Sequence, residues 1–172
     1  MAVSIIIKKE WDDYQSLEEV ERKALTSYEL VGYKSSSWSI TSLEKFKKQR
    51  DEGLLWVATI EEKSVGFAIA ALYDGGCLHL EEFNVLPSFQ GQGIGKQLLQ
   101  MVIDEARLRS CPMITLRTFT TTPWAINIYK KFGFQMIPDD EHPRYLNDFY
   151  EEEKKLQIDT KDCCTMILYL NH

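Results

Sequence analysis

Cysteine and histidine are few in this chain, basic charge does not prevail, and no long apolar run occurs. The four cysteines, Cys77, Cys111, Cys163 and Cys164, form no Cys-x-x-Cys pair, and His79, His142 and His172 fall at no ligand-like spacing from them. This argues against a metal site and favours buried, reduced thiols. No apolar run approaches the ~20 residues that span a bilayer. The N-terminal Val3 to Ile7 run gives way to charges rather than to a signal peptide, so no membrane partner and a cytoplasmic location are expected. The net charge is -6 with dispersed lysines and arginines, which argues against nucleic acid as a partner. Repeats, low-complexity tracts and dividing linkers are also missing. With 172 residues, 44% of them apolar and 27% charged, the chain reads as one domain over residues 1–172 with a sizeable core.

The elements can be read from periodicity. Val3 to Lys8 reads as a strand, and Ser16-Leu17-Glu18-Glu19 as a capping box opening a helix with Leu17, Val20 and Ala24 on one face, a stripe that Tyr28 could extend. A second helix starts near Thr41-Ser42-Leu43-Glu44 and stops at Gly53, after a polar loop from Gly32 to Ile40 that holds Tyr33 and Trp38. Leu54 to Ile60 and Val65 to Tyr73 form a hairpin through Glu61-Glu62-Lys63-Ser64, and Asp74-Gly75-Gly76 turns the chain into Cys77 to Val85. A helix from Gly93 to about Arg109 follows, then a strand at Met113 to Phe119 and a helix from Pro123 to Gly133. Residues 138–172 form a tail with a helix-compatible pattern at Arg144 to Leu156 and a last strand at Thr165 to Leu170. Packing against the sheet is the expected role of the tail, with a lid over an acceptor site or a homodimer surface as alternatives.

Gln90 to Lys96 read Gln-Gly-Gln-Gly-Ile-Gly-Lys between a strand and a helix. Glycines there allow tight turning and close approach of an anion, and the helix start adds unpaired N–H groups and its positive dipole end. The nucleoside-triphosphate loop is excluded, since it would need glycine at position 90 and a hydroxyl at 97, and both are glutamine. The dinucleotide fingerprint fails as well, because Lys96 or Leu98 stands where its third glycine belongs.

What is left, Gln90-x-x-Gly93-x-Gly95 after Asn84-Val85-Leu86-Pro87, resembles the acetyl-CoA pyrophosphate loop of the GNAT superfamily of N-acetyltransferases. A second segment, Pro123-Trp124-Ala125-Ile126-Asn127-Ile128-Tyr129-Lys130-Lys131-Phe132-Gly133-Phe134, is similar to that superfamily's Ala-x-x-x-Tyr followed by Gly-Phe. The resemblance implies an α/β (α+β) fold with a central mixed, mostly antiparallel sheet of six to seven strands flanked by helices. It implies acetyl-CoA as co-substrate, its diphosphate on Gln90, Gly91, Gln92, Gly93, Ile94, Gly95 and Lys96, and its pantetheine arm beside Phe83, Asn84 and Val85, where the strand splays through a bulge. The superfamily often has asparagine where Thr122 stands here, and Asn127 resembles an asparagine of polyamine acetyltransferases.

Transfer of acetyl to an amine needs a base, because an aliphatic ammonium has a pKa near ~10.4. Glu81 and Glu82 are the candidates, and on a regular strand they face opposite sides. The stretch Leu80-Glu81-Glu82-Phe83 looks similar to polyamine acetyltransferases, and that comparison favours Glu81. By resemblance, Tyr129 matches the tyrosine that protonates the departing thiolate. The acceptor is expected to be a primary amine on a small molecule. Acetylation of a protein N-terminus or lysine, and a noncatalytic acyl-CoA-binding module, are the alternatives.

Overall fold

The computed structural model of the chain describes residues 4–34, 38–156 and 158–170. Seven strands form one sheet: β1 (Ile6–Lys8), β2 (Leu55–Ile60), β3 (Lys63–Tyr73), β4 (Cys77–Val85), β5 (Met113–Phe119), β6 (Gln135–Ile137) and β7 (Cys163–Tyr169), in the order β1-β2-β3-β4-β5-β7-β6. The pairs β1/β2, β2/β3, β5/β7 and β6/β7 are antiparallel. Among the described residues five α-helices accompany the sheet: α1 (Tyr14–Glu29), α2 (Leu43–Asp51), α3 (Ile94–Leu108), α4 (Pro123–Lys131) and α5 (Asn147–Lys155). The mixed, mostly antiparallel architecture expected from the sequence is thus present. Contacts gather into two compact units, residues 1–71 with 80–105 and residues 72–79 with 106–172, and β4 contributes to both.

In the first unit, β2 is buried at every position and β3 from Ser64 to Ala70. Its core joins Tyr14 and Leu17 of α1 to Phe46 of α2 and to Val57, Phe67 and Ile69 of the sheet. Tyr14 stacks on Phe46 at 5.9 Å between centroids, and Phe46 meets Phe67 edge-on at 5.4 Å.

Two local expectations are corrected. α1 does not open on a Ser16 capping box; Asp13 is the N-cap, accepting the Ser16 N–H at 3.2 Å. The apolar stripe begins one turn earlier, at buried Tyr14, so the cap moves with it, and Glu19 pairs with Lys23 instead. The β2–β3 turn is two residues long rather than four. Ile60 pairs with Lys63, and Glu61 and Glu62 have φ of 49° and 61°, the left-handed geometry whose twist suits a two-residue hairpin. The register shifts at Ala58/Thr59, leaving Val65 as the extra residue of a bulge. α2 starts at the Ser42 cap and gives way to Gly53 (φ 72°) as the sequence suggests. Of the expected first strand, Val3 lies outside the described residues, as do residues 35–37 of the loop before α2.

In the second unit, β7 pairs with β5 along its whole length and with β6 on its other side. β7 starts at Cys163, earlier than the Thr165 expected from the apolar run, and all four cysteines are buried and free. The tail helix is shorter than its periodicity suggested: a 3-10 turn at Arg144–Leu146 precedes α5. Arg117 of β5 holds α5 in place. Its guanidinium bonds Glu153 (2.7 Å) and Thr165 (2.8 Å) and lies 3.8 Å over the Tyr150 ring.

Candidate active site

In the first unit, β4 leads through a 3-10 turn, Pro87–Phe89, into the glycine-rich segment and α3. Gly91 and Gly93 have φ of 77° and 85°, a region that side chains with a Cβ rarely occupy. A Cβ built on either would meet nothing within 4 Å, so the turn opens on free space. Gln97 N–H is the α3 donor that bonds the Gly93 carbonyl, at 3.1 Å. The N–H groups of Ile94, Gly95 and Lys96 belong to the first helical turn, which offers them no acceptor within the helix. Ile94 is buried and Lys96 exposed, so one side chain of that turn anchors it while the other reaches solvent.

The glutamines of the segment brace it. Gln90 donates from Nε2 to the Val85 carbonyl (3.2 Å), and Gln92 from Nε2 toward the Ser88 carbonyl (3.4 Å). Upstream, the Leu86 N–H donates to Val65 in the bulge of β3 (2.9 Å), fixing the end of β4. Gly66 permits this approach, because a Cβ there would sit 2.9 Å from the Asn84 carbonyl and 3.2 Å from Val85 Cγ2.

Glu81 and Glu82 have different surroundings. Glu81 forms an ion pair with Lys45 of α2. Glu82, half-buried, accepts from Asn84 Nδ2 at 3.2 Å. Desolvation, helped by the negative charges of Glu21 and then Glu81, pushes its carboxyl up to about 8, against the opposing Asn84 bond and Lys45 charge. Phe83 and Val85 are half-buried, and Asn84 is 7% exposed with its side chain committed to Glu82.

Sequence reasoning missed Glu21. It sits on α1 at 2% exposure, and both its carboxyl oxygens accept the Thr41 N–H, at 3.1 and 3.2 Å. Burial raises its pKa, with the Thr41 bonds opposing. A signal existed, because position 21 lies four residues after Leu17 on the stripe that buries Val20 and Ala24, where a charge is out of place. Lys45, the partner of Glu81, left no such trace.

The remaining candidates belong to the second unit. Tyr129 of α4 is 6% exposed and packs edge-on against Phe134 at 5.9 Å. Thr122, fully buried before Pro123, donates its hydroxyl to the Phe119 carbonyl at 2.8 Å, while Asn127 is exposed. Among the described residues no group of three or more His, Cys, Asp or Glu side chains could hold a metal ion, and no helix is long and apolar enough to cross a membrane.

The family model of the acetyltransferase (GNAT) family matches residues 14–134, which takes in both the glycine segment and Tyr129. The chain belongs to the GNAT family. Among GNAT relatives, an uncharacterized N-acetyltransferase of Methanocaldococcus jannaschii is 28% identical over 130 residues, 72% of this chain and 57% of that protein. The spermine/spermidine N(1)-acetyltransferase of Bacillus subtilis is 38% identical over 79 residues, 41% of this chain and 52% of that protein. The thialysine N-epsilon-acetyltransferase of Mus musculus is 29% identical over 75 residues, 44% of each chain. The chain thus spans about half the length of these curated relatives. Among solved structures, the PaiA N-acetyltransferase of Thermoplasma acidophilum in complex with coenzyme A superposes with a TM-score of 0.72 at 19% identity, covering 97% of this chain and 99% of that one. PH1933 of Pyrococcus horikoshii gives 0.71 at 23%, covering 98% and 100%. At such identities they establish a shared GNAT fold.

Proposed function

We propose that the chain is a single N-acetyltransferase domain that moves acetyl from acetyl-CoA to a primary amine on a small molecule, by direct attack of the amine. The observation that carries this reading is the open glycine turn into which β4 leads at the start of α3, with Glu82, a carboxyl that burial pushes up to about 8, on that same strand. The turn suits a diphosphate, since free space over Gly91 and Gly93 adjoins the donor end of a 15-residue helix. Residues Gln90 to Lys96 would hold the diphosphate, and the backbone from Phe83 to Val85 the pantetheine arm, with Thr122 and Asn127 as further contacts. Acetyl-CoA supplies a thioester carbonyl activated toward nitrogen.

In this reading Glu82, rather than Glu81, takes the proton of the acceptor ammonium. A base near 8 is closer than an ordinary carboxylate to an amine near ~10.4, and Glu81 is already neutralised by Lys45. The nitrogen then forms its bond to the acyl carbon as the carbon–sulfur bond breaks. Tyr129, on the strength of its match to the family tyrosine alone, gives its proton to sulfur, and the second proton that the nitrogen sheds on becoming an amide restores the phenol. The excess of carboxylates around Glu82 favours a cationic acceptor. Two relatives carry names that specify small cationic amines, spermine/spermidine and thialysine.

Calorimetric titration with acetyl-CoA tests the reading first. Saturable binding by the wild type, weakened at least about tenfold in Gly93→Val, is expected, since valine strains a turn with φ of 85° and fills its opening. No binding by folded wild-type protein would sink the proposal. With binding in hand, an amine panel against peptides separates small-molecule from protein acceptors. Tyr129→Phe should lower turnover with acetyl-CoA affinity kept; unchanged turnover would remove Tyr129 from the acid role.

A further inference from the structure

Lys45 of α2 reaches the sheet to form an ion pair with Glu81 of β4, and the two ends of that pair differ in their access to solvent. The Glu81 side chain is 9% exposed and the Lys45 side chain 36%, so the carboxylate lies inside and the ammonium at the mouth. Lys45 also stands in the first turn of α2, its backbone N–H on the Ser42 hydroxyl at 3.2 Å, at the helix end whose dipole disfavours a cation. What Lys45 brings besides charge is a primary aliphatic amine, the acceptor class proposed above. Glu81 precedes Phe83 by two residues, so both side chains project from one face of β4, with their Cα atoms about 7 Å apart. With the pantetheine arm against Phe83 to Val85, the thioester comes to the strand that already holds this amine. All of these residues belong to the first compact unit.

We propose that Lys45 is an internal acceptor: acetyl-CoA bound to a chain acetylates that chain's own Lys45 on Nζ. The inference rests on the reading that acetyl-CoA lies along Phe83 to Val85 and the glycine segment. Glu81, already paired with the ammonium, takes its proton and releases it to solvent. The nitrogen then bonds the acyl carbon as the carbon–sulfur bond breaks, and the second proton shed by the nitrogen balances the one that the thiolate takes up. Thioester and amine become thiol and amide, with no change of oxidation state. The acetylated side chain has no charge to offer Glu81, so the ion pair belongs to the unmodified chain alone. Lys48 of the same helix is the natural reference, because it is 66% exposed and pairs with Glu52 at 3.8 Å, away from β4.

The test is peptide mapping by mass spectrometry of the full chain before and after incubation with acetyl-CoA alone, with release of CoA thiol followed in parallel. Lys45 should gain acetyl at least about tenfold faster than Lys48, since an amine held beside the thioester outpaces a free one. Its rate per chain should not change with protein concentration, and Gly93→Val should slow it at subsaturating acetyl-CoA while leaving Lys48 as it was. Acetylation that follows exposure, with Lys48 at least equal to Lys45, would overturn the proposal. So would a rate proportional to protein concentration, which marks transfer between copies. The comparison of lysines and the concentration series need only the wild type. In Lys45→Arg, which keeps a cation for Glu81, the stoichiometric burst of thiol in the absence of added amine should be lost; an undiminished burst counts against Lys45. If free amines are acetylated while Lys45 is not, this inference fails and the enzyme reading stands. If acetyl-CoA does not bind at all, both fail.

Discussion

Glu81 and Glu82 are adjacent on β4, and what separates them comes from distant parts of the chain: Lys45 neutralises one, Glu21 burdens the other. Sequence reasoning could find the pair, because two carboxylates before a glycine turn are local information. It could not rank them, because Lys45 and Glu21 reach β4 only after α1 and α2 have packed. The resemblance favoured Glu81; the electrostatics favour Glu82. Removal of Glu82 should therefore be the more costly for catalysis, with Glu82→Gln lowering kcat/KM by about a hundredfold or more. In the wild type, kcat/KM should rise through an apparent pKa of about 8 as Glu82 ionises. Stability has the opposite sign. The native carboxyl holds its proton up to about 8, whereas the unfolded chain releases it in the ordinary carboxylate range, so the fold loses stability as pH rises between those limits. Glu82→Gln should consequently melt at a higher temperature than the wild type at pH 8, and the gain should shrink as the solution is acidified. Gly66 makes a complementary case. In Gly66→Ala the new methyl would meet the Asn84 carbonyl at 2.9 Å, and backbone cannot swing aside, so thermal unfolding should show a loss of about 1–3 kcal/mol.

Among the elements, β5 and the start of α4 fall where the sequence put them, because their signals are local: an apolar β-rich run, and Pro123 at a first helical turn. α1 began earlier than expected because Asp13 competes with Ser16 as a cap, and tertiary contact of Tyr14 with Phe46 decides between them. The tail shows the limit most clearly. A helix was legible after residue 143, yet its anchor, Arg117, lies on a strand thirty-six residues before Glu153. The Arg117 side chain is only 6% exposed, so it relies on Glu153 and Thr165 for neutralisation and hydrogen-bond acceptors. Glu153→Ala should cost about 3 kcal/mol in urea unfolding, because it strands a buried guanidinium. Lys154→Ala, which removes an exposed pair with Glu151, should leave stability almost unchanged. Equal losses would show that Arg117 finds another partner.

At the scale of the whole molecule, β4 gives its first three residues to one compact unit and the rest to the other. A strand cannot melt by halves without losing its ladder, so calorimetry should show one transition, in keeping with the proposed single domain. Acetyl-CoA at about 100 times its dissociation constant should add about 2.7 kcal/mol and move that transition up by roughly 5–10 °C. Two resolved transitions, with only one shifted by ligand, would argue for separate domains. The net charge of -6 was legible from composition, but not that part of it is concentrated around Glu82. The β2–β3 hairpin carries a different implication. Glu61 and Glu62 hold left-handed backbone that asparagine and glycine adopt with less strain, so the turn is satisfied by geometry and opposed by its own residues. That leaves an unspent reserve: a Glu61→Asn, Glu62→Gly chain would have headroom to tolerate the very substitutions, such as Gly66→Ala, by which its neighbouring strand can be interrogated.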